Sequence, residues 1–315
     1  MLLQGAKRLL QLGVVLLVLS MLTFGLMKLA PGDPVLAILR ASDGALTLAD
    51  QEAARSELGL NKPIYEQYAS WLGHIARLDW GKSMTSNRAV WDMLMERLPA
   101  TLYLTLGSLV VLALISFPLG VLAAKHKGRA PDIFSRAVAL IGASVPSFWL
   151  ALLLIYLFSF KLGWLPTMGN GGLLHLVLPS LTLGFVMAPE YIRLLRAGLL
   201  DAFSQEYIRA ARARGIAERS VVLRHALRAA LLPIAAVSGI SLGALMAGSV
   251  VTESLFGWPG LGSLAIEAIR LRDYPVVQGY VLLCGLFFLT ANWLSDLGMA
   301  ALDPRILLQR GVGYE

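Results

Sequence analysis

Few side chains in this 315-residue sequence combine type and spacing in a way that supports catalysis. His74, His126, His175 and His225 are dispersed, and no two stand three or four positions apart, the interval that sets two ligands on one helix face. His126 and His225 lie among basic residues, as solvated surface does. His175 falls at the outer end of an apolar run, where an interfacial hydrogen bond explains it more simply than a metal. Cys284 is the sole cysteine, which excludes an internal disulfide and a cysteine-built metal site. Trp80-Gly-Lys-Ser83 echoes the end of a phosphate-binding loop, but Ala76 stands where the leading glycine belongs. Ser180 and His175 could serve only as nucleophile and base of an intramembrane protease, and nothing else in the sequence supports that pair. Neither a catalytic nor a metal-binding set emerges.

The densest chemistry is basic. Between Arg193 and Ile234 stand eight arginines, flanked by two long apolar runs. An arginine at a bilayer centre costs roughly 2.5–3.5 kcal/mol, so this stretch stays on the cytoplasmic side. At a helical period, Phe203, Tyr207, Ile208 and Ala211 share one face, while Gln205, Glu206, Arg209 and Arg212 oppose them. Gly215 ends that helix. Glu218 and Arg219 open a second one, whose expected apolar stripe is Leu223, Leu227, Ala230 and Ile234. Two short helices meeting at a glycine beneath a membrane suit a surface that presses on another protein.

The elements that must position this elbow follow from composition. With 57% hydrophobic and 15% charged residues and a mean hydropathy of +0.68, the chain is too apolar for a soluble domain. Its net charge of +7 brings no aromatic-basic interleaving, so nucleic acid is not an expected partner; membrane lipid is. Leu9–Met27 is an uncharged run after Lys7 and Arg8, and further runs cover 98–124, 137–160, 173–189, 229–252 and 274–295. About 20 helical residues cross ~30 Å of hydrocarbon, so six transmembrane helices are expected, with kinks at Pro118, Pro146 and Pro179. Placing the N-terminus, 125–136, 190–228 and 296–315 inside gives 16 Lys/Arg against 8 Asp/Glu there, and 11 against 12 outside. Both termini are therefore expected in the cytoplasm. The middle of every run lacks a charged side chain, which disfavours a proton- or sodium-coupled secondary transporter.

Residues 31–98 form an outer lobe. Thr47 and Asp50 suggest a helix start, Gly59 its stop, and Pro63 the start of a second helix through Tyr68 and Trp71. After the fifth run, Glu253-Ser-Leu-Phe-Gly-Trp-Pro-Gly-Leu-Gly262 and Arg270-Leu-Arg-Asp-Tyr-Pro275 suggest a short structured outer segment or re-entrant turn.

Several of these motifs resemble the permease subunits of ABC importers, in their dipeptide, oligopeptide and nickel branch. They are Glu206-Tyr-Ile-Arg-Ala-Ala-Arg-Ala-Arg-Gly215 with His225-Ala-Leu-Arg-Ala-Ala-Leu-Leu-Pro233, the 253–275 segment, Gly32-Asp-Pro34, Leu58-Gly-Leu-Asn-Lys-Pro63, Leu98-Pro-Ala-Thr-Leu102 and Leu302-Asp-Pro-Arg-Ile306. Where the general pattern has Glu-Ala-Ala, this chain has Arg209-Ala-Ala211, with Glu206 one turn earlier. The resemblance implies an all-α integral membrane protein of six transmembrane helices, with a small helical periplasmic lobe after the first and a cytoplasmic coupling-helix loop between helices 4 and 5. It divides the chain into residues 1–30, a lobe at 31–98, a permease core at 99–302 with its coupling loop at 193–230, and a tail at 303–315.

By the same resemblance, Glu206, Tyr207, Arg209, Ala210, Ala211, Arg212 and Gly215 couple to an ATPase, and Glu253, Phe256, Trp258 and Asp273 serve binding-protein docking or an outer gate. The chain itself would need no cofactor, since ATP and Mg would bind to partner subunits. Those partners would be a second homologous permease, two cytoplasmic ATPases and a periplasmic or lipid-anchored substrate-binding protein, at the bacterial inner membrane. Trp164-Leu-Pro-Thr-Met-Gly-Asn-Gly-Gly172 and Asn87-Arg-Ala-Val-Trp-Asp-Met-Leu94 look most similar to nickel-type permeases, so nickel or a metal chelate is the expected cargo and di- or oligopeptides the alternative.

Overall fold

The computed structural model describes residues 2–29, 48–57 and 59–302. Among these the chain is helical almost throughout, and the only strand-like pairing is an isolated antiparallel bridge between Lys82 and Ala89. Helix α1 spans Leu2–Leu29, α2 Leu48–Glu57, α3 Ile64–Ala76 and α4 Val90–Lys125. Then come α5, Ala130–Ser144, and α6, Ser147–Lys161, whose last seven residues are π-helical. Helix α7 is Leu173–Ser204, α8 Glu206–Ala213, α9 Glu218–Phe256, α10 Leu261–Leu271 and α11 Tyr274–Leu302.

Five of these helices contain a stretch long and apolar enough to cross a membrane: α1 from Leu10, α4, α7, α9 and α11. A sixth span exists if α5 and α6 count together, but they meet at 103°. The single kinked helix expected over 137–160 is thus a sharp corner. Its cause is local. Pro146 has no N–H to donate, and it holds Val145 at φ −89°, ψ 122°, outside the helical region. By contrast α4 and α7 continue through Pro118 and Pro179.

The residues group into two compact units. The first takes 1–101 and Pro259–Phe287. In it Ser20 of α1 and Tyr68 of α3 share a hydroxyl–hydroxyl bond of 2.8 Å, and Phe24 meets the rings of Tyr68 and Trp71. Gly59, at φ +64°, closes α2 with the Leu60 amide donating to the Arg55 carbonyl, and Pro63 caps α3 as expected. Thr47, the expected start of α2, lies outside the described residues, as do Gly32-Asp-Pro34 and all but the first residue of Leu302-Asp-Pro-Arg-Ile306.

The second unit takes Leu102–Trp258 and the chain from Phe288. Its core is the packing of α7 against α9, joined by α4 and α5. Small residues set the separations. A Cβ on Gly198 of α7 would stand 2.9 Å from the Ala230 Cα of α9, and one on Gly184 would stand 2.7 Å from the Ser108 carbonyl oxygen of α4. Backbone therefore meets backbone at both places. The stripe expected on α9 holds at Ala230 and Ile234, which are buried, and at Leu227, which packs against the core, but fails at Leu223, which is 51% exposed while Val221, Val222 and Ala226 are buried. Val221–Ala226 is π-helical, and the wider turn rotates the inward face away from the α-helical register.

The Gly198 contact is directly testable. Gly198→Val forces methyl groups against the Ala230 backbone, so it should cost roughly 1–3 kcal/mol and lower the yield and melting temperature of detergent-purified protein. Gly128→Ala, with open space around its Cβ, should leave the core packing intact and lose only the backbone preference of a φ of +77°.

Candidate functional site

Helix α8 hangs between the ends of α7 and α9, and its sequence explains its attachment. Ile208 and Ala211 are buried in one cluster with Leu195, Leu199, Val221 and Ala226, so the inner face of α8 joins the core of the second unit. Glu206, Arg209, Ala210 and Arg212 face solvent, and Tyr207 is 46% exposed. The expected inner face is thus right at Ile208 and Ala211. Tyr207 departs from it, and Phe203 belongs to the preceding helix.

The elbow itself is a backbone device. Gly215 sits at φ +72°, its amide donates to the Arg212 carbonyl at 2.9 Å, and the Ile216 amide donates to the Ala211 carbonyl at 3.3 Å. These two bonds satisfy carbonyls that the end of α8 would otherwise leave open, and the left-handed turn they need favours glycine. Arg212 bridges the elbow, its guanidinium donating to both Glu218 carboxylate oxygens at 2.8 and 3.1 Å while lying 5.3 Å from the centre of the Phe203 ring. That hydrogen bonding holds the Glu218 carboxyl below the usual carboxylate range, so both groups are charged at neutral pH, and the contribution fades as acid protonates Glu218.

A second ionic contact, unforeseen from the sequence, stands behind the elbow. Asp132, buried at the start of α5, accepts from Arg196 Nε at 2.7 Å and its terminal nitrogen at 2.9 Å, and from the Gly128 amide at 2.9 Å. Arg136 lies 3.6 Å away. Arg196 occupies the stretch of α7 that also carries Leu195 and Leu199 into the core beneath α8. The sequence did hold a signal: Asp132 is the lone acid in the basic loop 125–136.

The outer set is buried. Glu253 is 0% and Asp273 2% exposed, and Phe256 and Trp258 are buried as well. All four side chains are thus enclosed by their own chain in this conformation. Asp273 instead accepts from Ser83 Oγ, the Met84 and Thr85 amides at 3.1 and 3.3 Å, and Thr85 Oγ1 at 2.8 Å, tying the end of α10 to the 83–85 turn. In the second unit Glu253 receives Ser249 Oγ at 3.1 Å, and the Trp258 amide returns to the Glu253 carbonyl at 2.8 Å across Gly257. The Gly169 amide donates to the Phe256 carbonyl at 2.9 Å and pins the 163–172 loop there.

Enzyme-like fragments dissolve on inspection. Among the described residues His175 Nδ1 and Ser180 Oγ, both buried, have no hydrogen-bond partner, each other included, and Ser180 packs where Gly107 leaves room. Gly239-Ile-Ser-Leu-Gly243 spells a nucleophile-elbow pattern, yet it lies inside the continuous helix α9, and its glycines make room for Asn292 and Phe288 of α11. Among the described residues, no three His, Cys, Asp or Glu side chains gather as metal ligands.

Comparison with known proteins adds a family. The group described as "binding-protein-dependent transport system inner membrane component" matches residues 116–308, and the N-terminal part of such membrane components matches 1–105. The glutathione transport system permease protein GsiC of Escherichia coli (strain K12) is 41% identical over 300 residues, covering 95% of this chain and 97% of its own. Its counterpart in Shigella flexneri serotype 5b is 40% identical over the same length. The MetNI methionine ABC transporter, solved in inward facing conformations, aligns over 67% of this chain and 96% of its own with a TM-score of 0.57 and 22% identity. An amino acid ABC transporter solved with histidines gives 0.51 at 17% identity, over 67% and 94% of the two chains. The two solved structures speak for the fold alone.

The Asp132–Arg196 pair makes its own prediction. Asp132→Asn removes the charge that two guanidinium donors face, and should cost about 1.5–3 kcal/mol in thermal unfolding. The exchange Asp132→Arg with Arg196→Asp should recover part of that loss if the ionic contact matters as a pair; no recovery would show that the individual sites matter instead.

Proposed function

The chain belongs to the binding-protein-dependent inner-membrane components, the permease subunits of ABC importers, and from that premise we propose that it carries a glutathione-like or other short peptide across the bacterial inner membrane. A permease is a transport component rather than an enzyme, and ATP hydrolysis belongs to partner ATPases. The observation that carries the substrate reading is the 41% identity, across 95% of the chain, to a permease named for glutathione transport. The nickel expectation finds no such support among the relatives, and the peptide alternative does.

In this reading Glu206, Tyr207, Arg209, Ala210, Arg212 and Gly215 form the face that seats in an ATPase, while Ala211 and Ile208 fasten the helix to its own subunit. ATP and Mg bind to two such ATPases. A second permease of the same kind completes the path, and a periplasmic or lipid-anchored binding protein delivers the solute. Both termini lie in the cytoplasm, supported by the excess of Lys and Arg in the segments that orientation places inside. Closure of the ATPases moves α8, and the shared core of α7, α8 and α9 makes that movement a rigid-body displacement of whole helices. Glu253, Phe256, Trp258 and Asp273 serve binding-protein docking or an outer gate, Asp273 by fixing the end of α10 to the 83–85 turn.

Two measurements test this. Gly215→Val places a branched side chain at φ +72°, with no neighbour within 4 Å to clash, so the penalty is backbone strain of roughly 1–2 kcal/mol confined to the elbow. The assembled complex should keep its ATPase activity while uptake falls; uptake equal to the parent's would remove the elbow from the mechanism. In proteoliposomes holding the full complex and its binding protein, ATP should drive accumulation of labelled glutathione or a tripeptide but not of nickel ion. The opposite preference would restore the metal reading, and uptake without ATP would favour a secondary transporter.

A further inference from the structure

A cleft of about 220 Å³ opens within the first unit where α1, α3 and the start of α11 converge. Two cations line it, Lys28 and Lys62, and among the described residues no carboxylate does. Lys28 Nζ donates to Gln67 Oε1 at 2.6 Å and stands 5.7 and 5.6 Å from the ring centres of Phe24 and Tyr274. Among the described residues these partners, one amide oxygen and two ring faces, leave the ammonium group with donors to spare. Gln67 also turns its Nε2 to the carbonyls of Leu60 and Lys62, at 3.2 and 2.7 Å. The same side chain therefore holds one lysine and braces the turn that carries the other. Trp71 completes the wall.

Below this cradle α1 offers an apolar track. Met21 and Leu17 lie about one and two turns before Phe24, and two and three before Lys28, on neighbouring positions of the same side, and both are exposed. Gly25, between them and Lys28, has nothing within 4 Å of where its Cβ would be. From Leu17 to Lys28 the helix rises about 16 Å, close to the ~15 Å of one hydrocarbon leaflet. A cationic cradle rimmed by Trp and Tyr, at the end of an exposed apolar helix face about one leaflet long, matches a molecule with an anionic head and an acyl tail.

We propose that this cleft binds the headgroup of an anionic phospholipid, with Lys28 and Lys62 on its phosphate and an acyl chain along Leu17, Met21 and Gly25. The site requires only that α1 spans a bilayer, so it stands or falls separately from the peptide reading. The test uses native mass spectrometry on the assembled complex, delipidated and then supplied with phosphatidylglycerol or phosphatidylcholine, counting lipid only on intact assemblies. The parent should retain phosphatidylglycerol in preference to phosphatidylcholine, and the Lys28→Gln/Lys62→Gln variant should retain at least about fivefold less. Gly25→Leu fills the track while keeping both cations, and should lose phosphatidylglycerol too. Equal retention by parent and the double-lysine variant, or no preference between the two lipids, would overturn the proposal. So would displacement of phosphatidylglycerol by millimolar inorganic phosphate, because a site for a small free anion needs no acyl track.

Discussion

The contact on which the second unit turns is the approach of two backbones, α7 at Gly198 and α9 at Ala230. Nothing larger than a hydrogen fits on the α7 side. Because the two helices touch that closely, their ends lie near enough for the eight residues of α8 to hang between them, and Ile208 and Ala211 reach a core both helices share. A looser crossing would leave α8 as a tether. The close one makes it part of the same solid body, and a push on its outer face is then felt along two membrane-length helices.

Several polar contacts close a gap in the backbone or join segments distant in sequence. Gly215 and Gly257 each end a helix by the same left-handed turn, one below α8 and one after α9. Arg212 and Glu218 clasp across the first turn, and the Glu253 carbonyl accepts across the second. Asp132 and Asp273 play parallel parts in the two units: each is a buried carboxylate encircled by donors, one guanidinium-led and one hydroxyl-led. A carboxylate so surrounded orders the chain around it, because any rearrangement would strand its charge in a poorly solvated place.

Much of this was legible in the sequence, and the failures have physical causes. Apolar run length finds long helices reliably because a bilayer imposes its thickness on them, and glycine at 215 announces the elbow because few other residues tolerate its turn. Helix register was less secure. A uniform 3.6-residue period puts Leu223 inward, and a π-helical stretch rotates it outward. Pro146 signalled a bend without revealing that the chain would turn through 103°. Long-range polar partners were least legible. The sequence places Asp273 in a Gly/Pro-rich outer segment and says nothing of its partners, yet Ser83 and Thr85, some 190 positions away, enclose it. Asp132 stood out only as an acid among bases, and Arg196 was one of eight arginines that could have met it.

The corner between α5 and α6 has a consequence for its surroundings. Helix α6 begins after a proline with no side-chain cap, so the amides of its first turn, at Ser147, Phe148 and Trp149, find no acceptor within the helix. Hydrocarbon tails offer none, and Phe148 and Trp149 are themselves half exposed. Such a vertex cannot be bathed in lipid on every side. It must rest at the wet boundary or against polypeptide that can accept from those three amides.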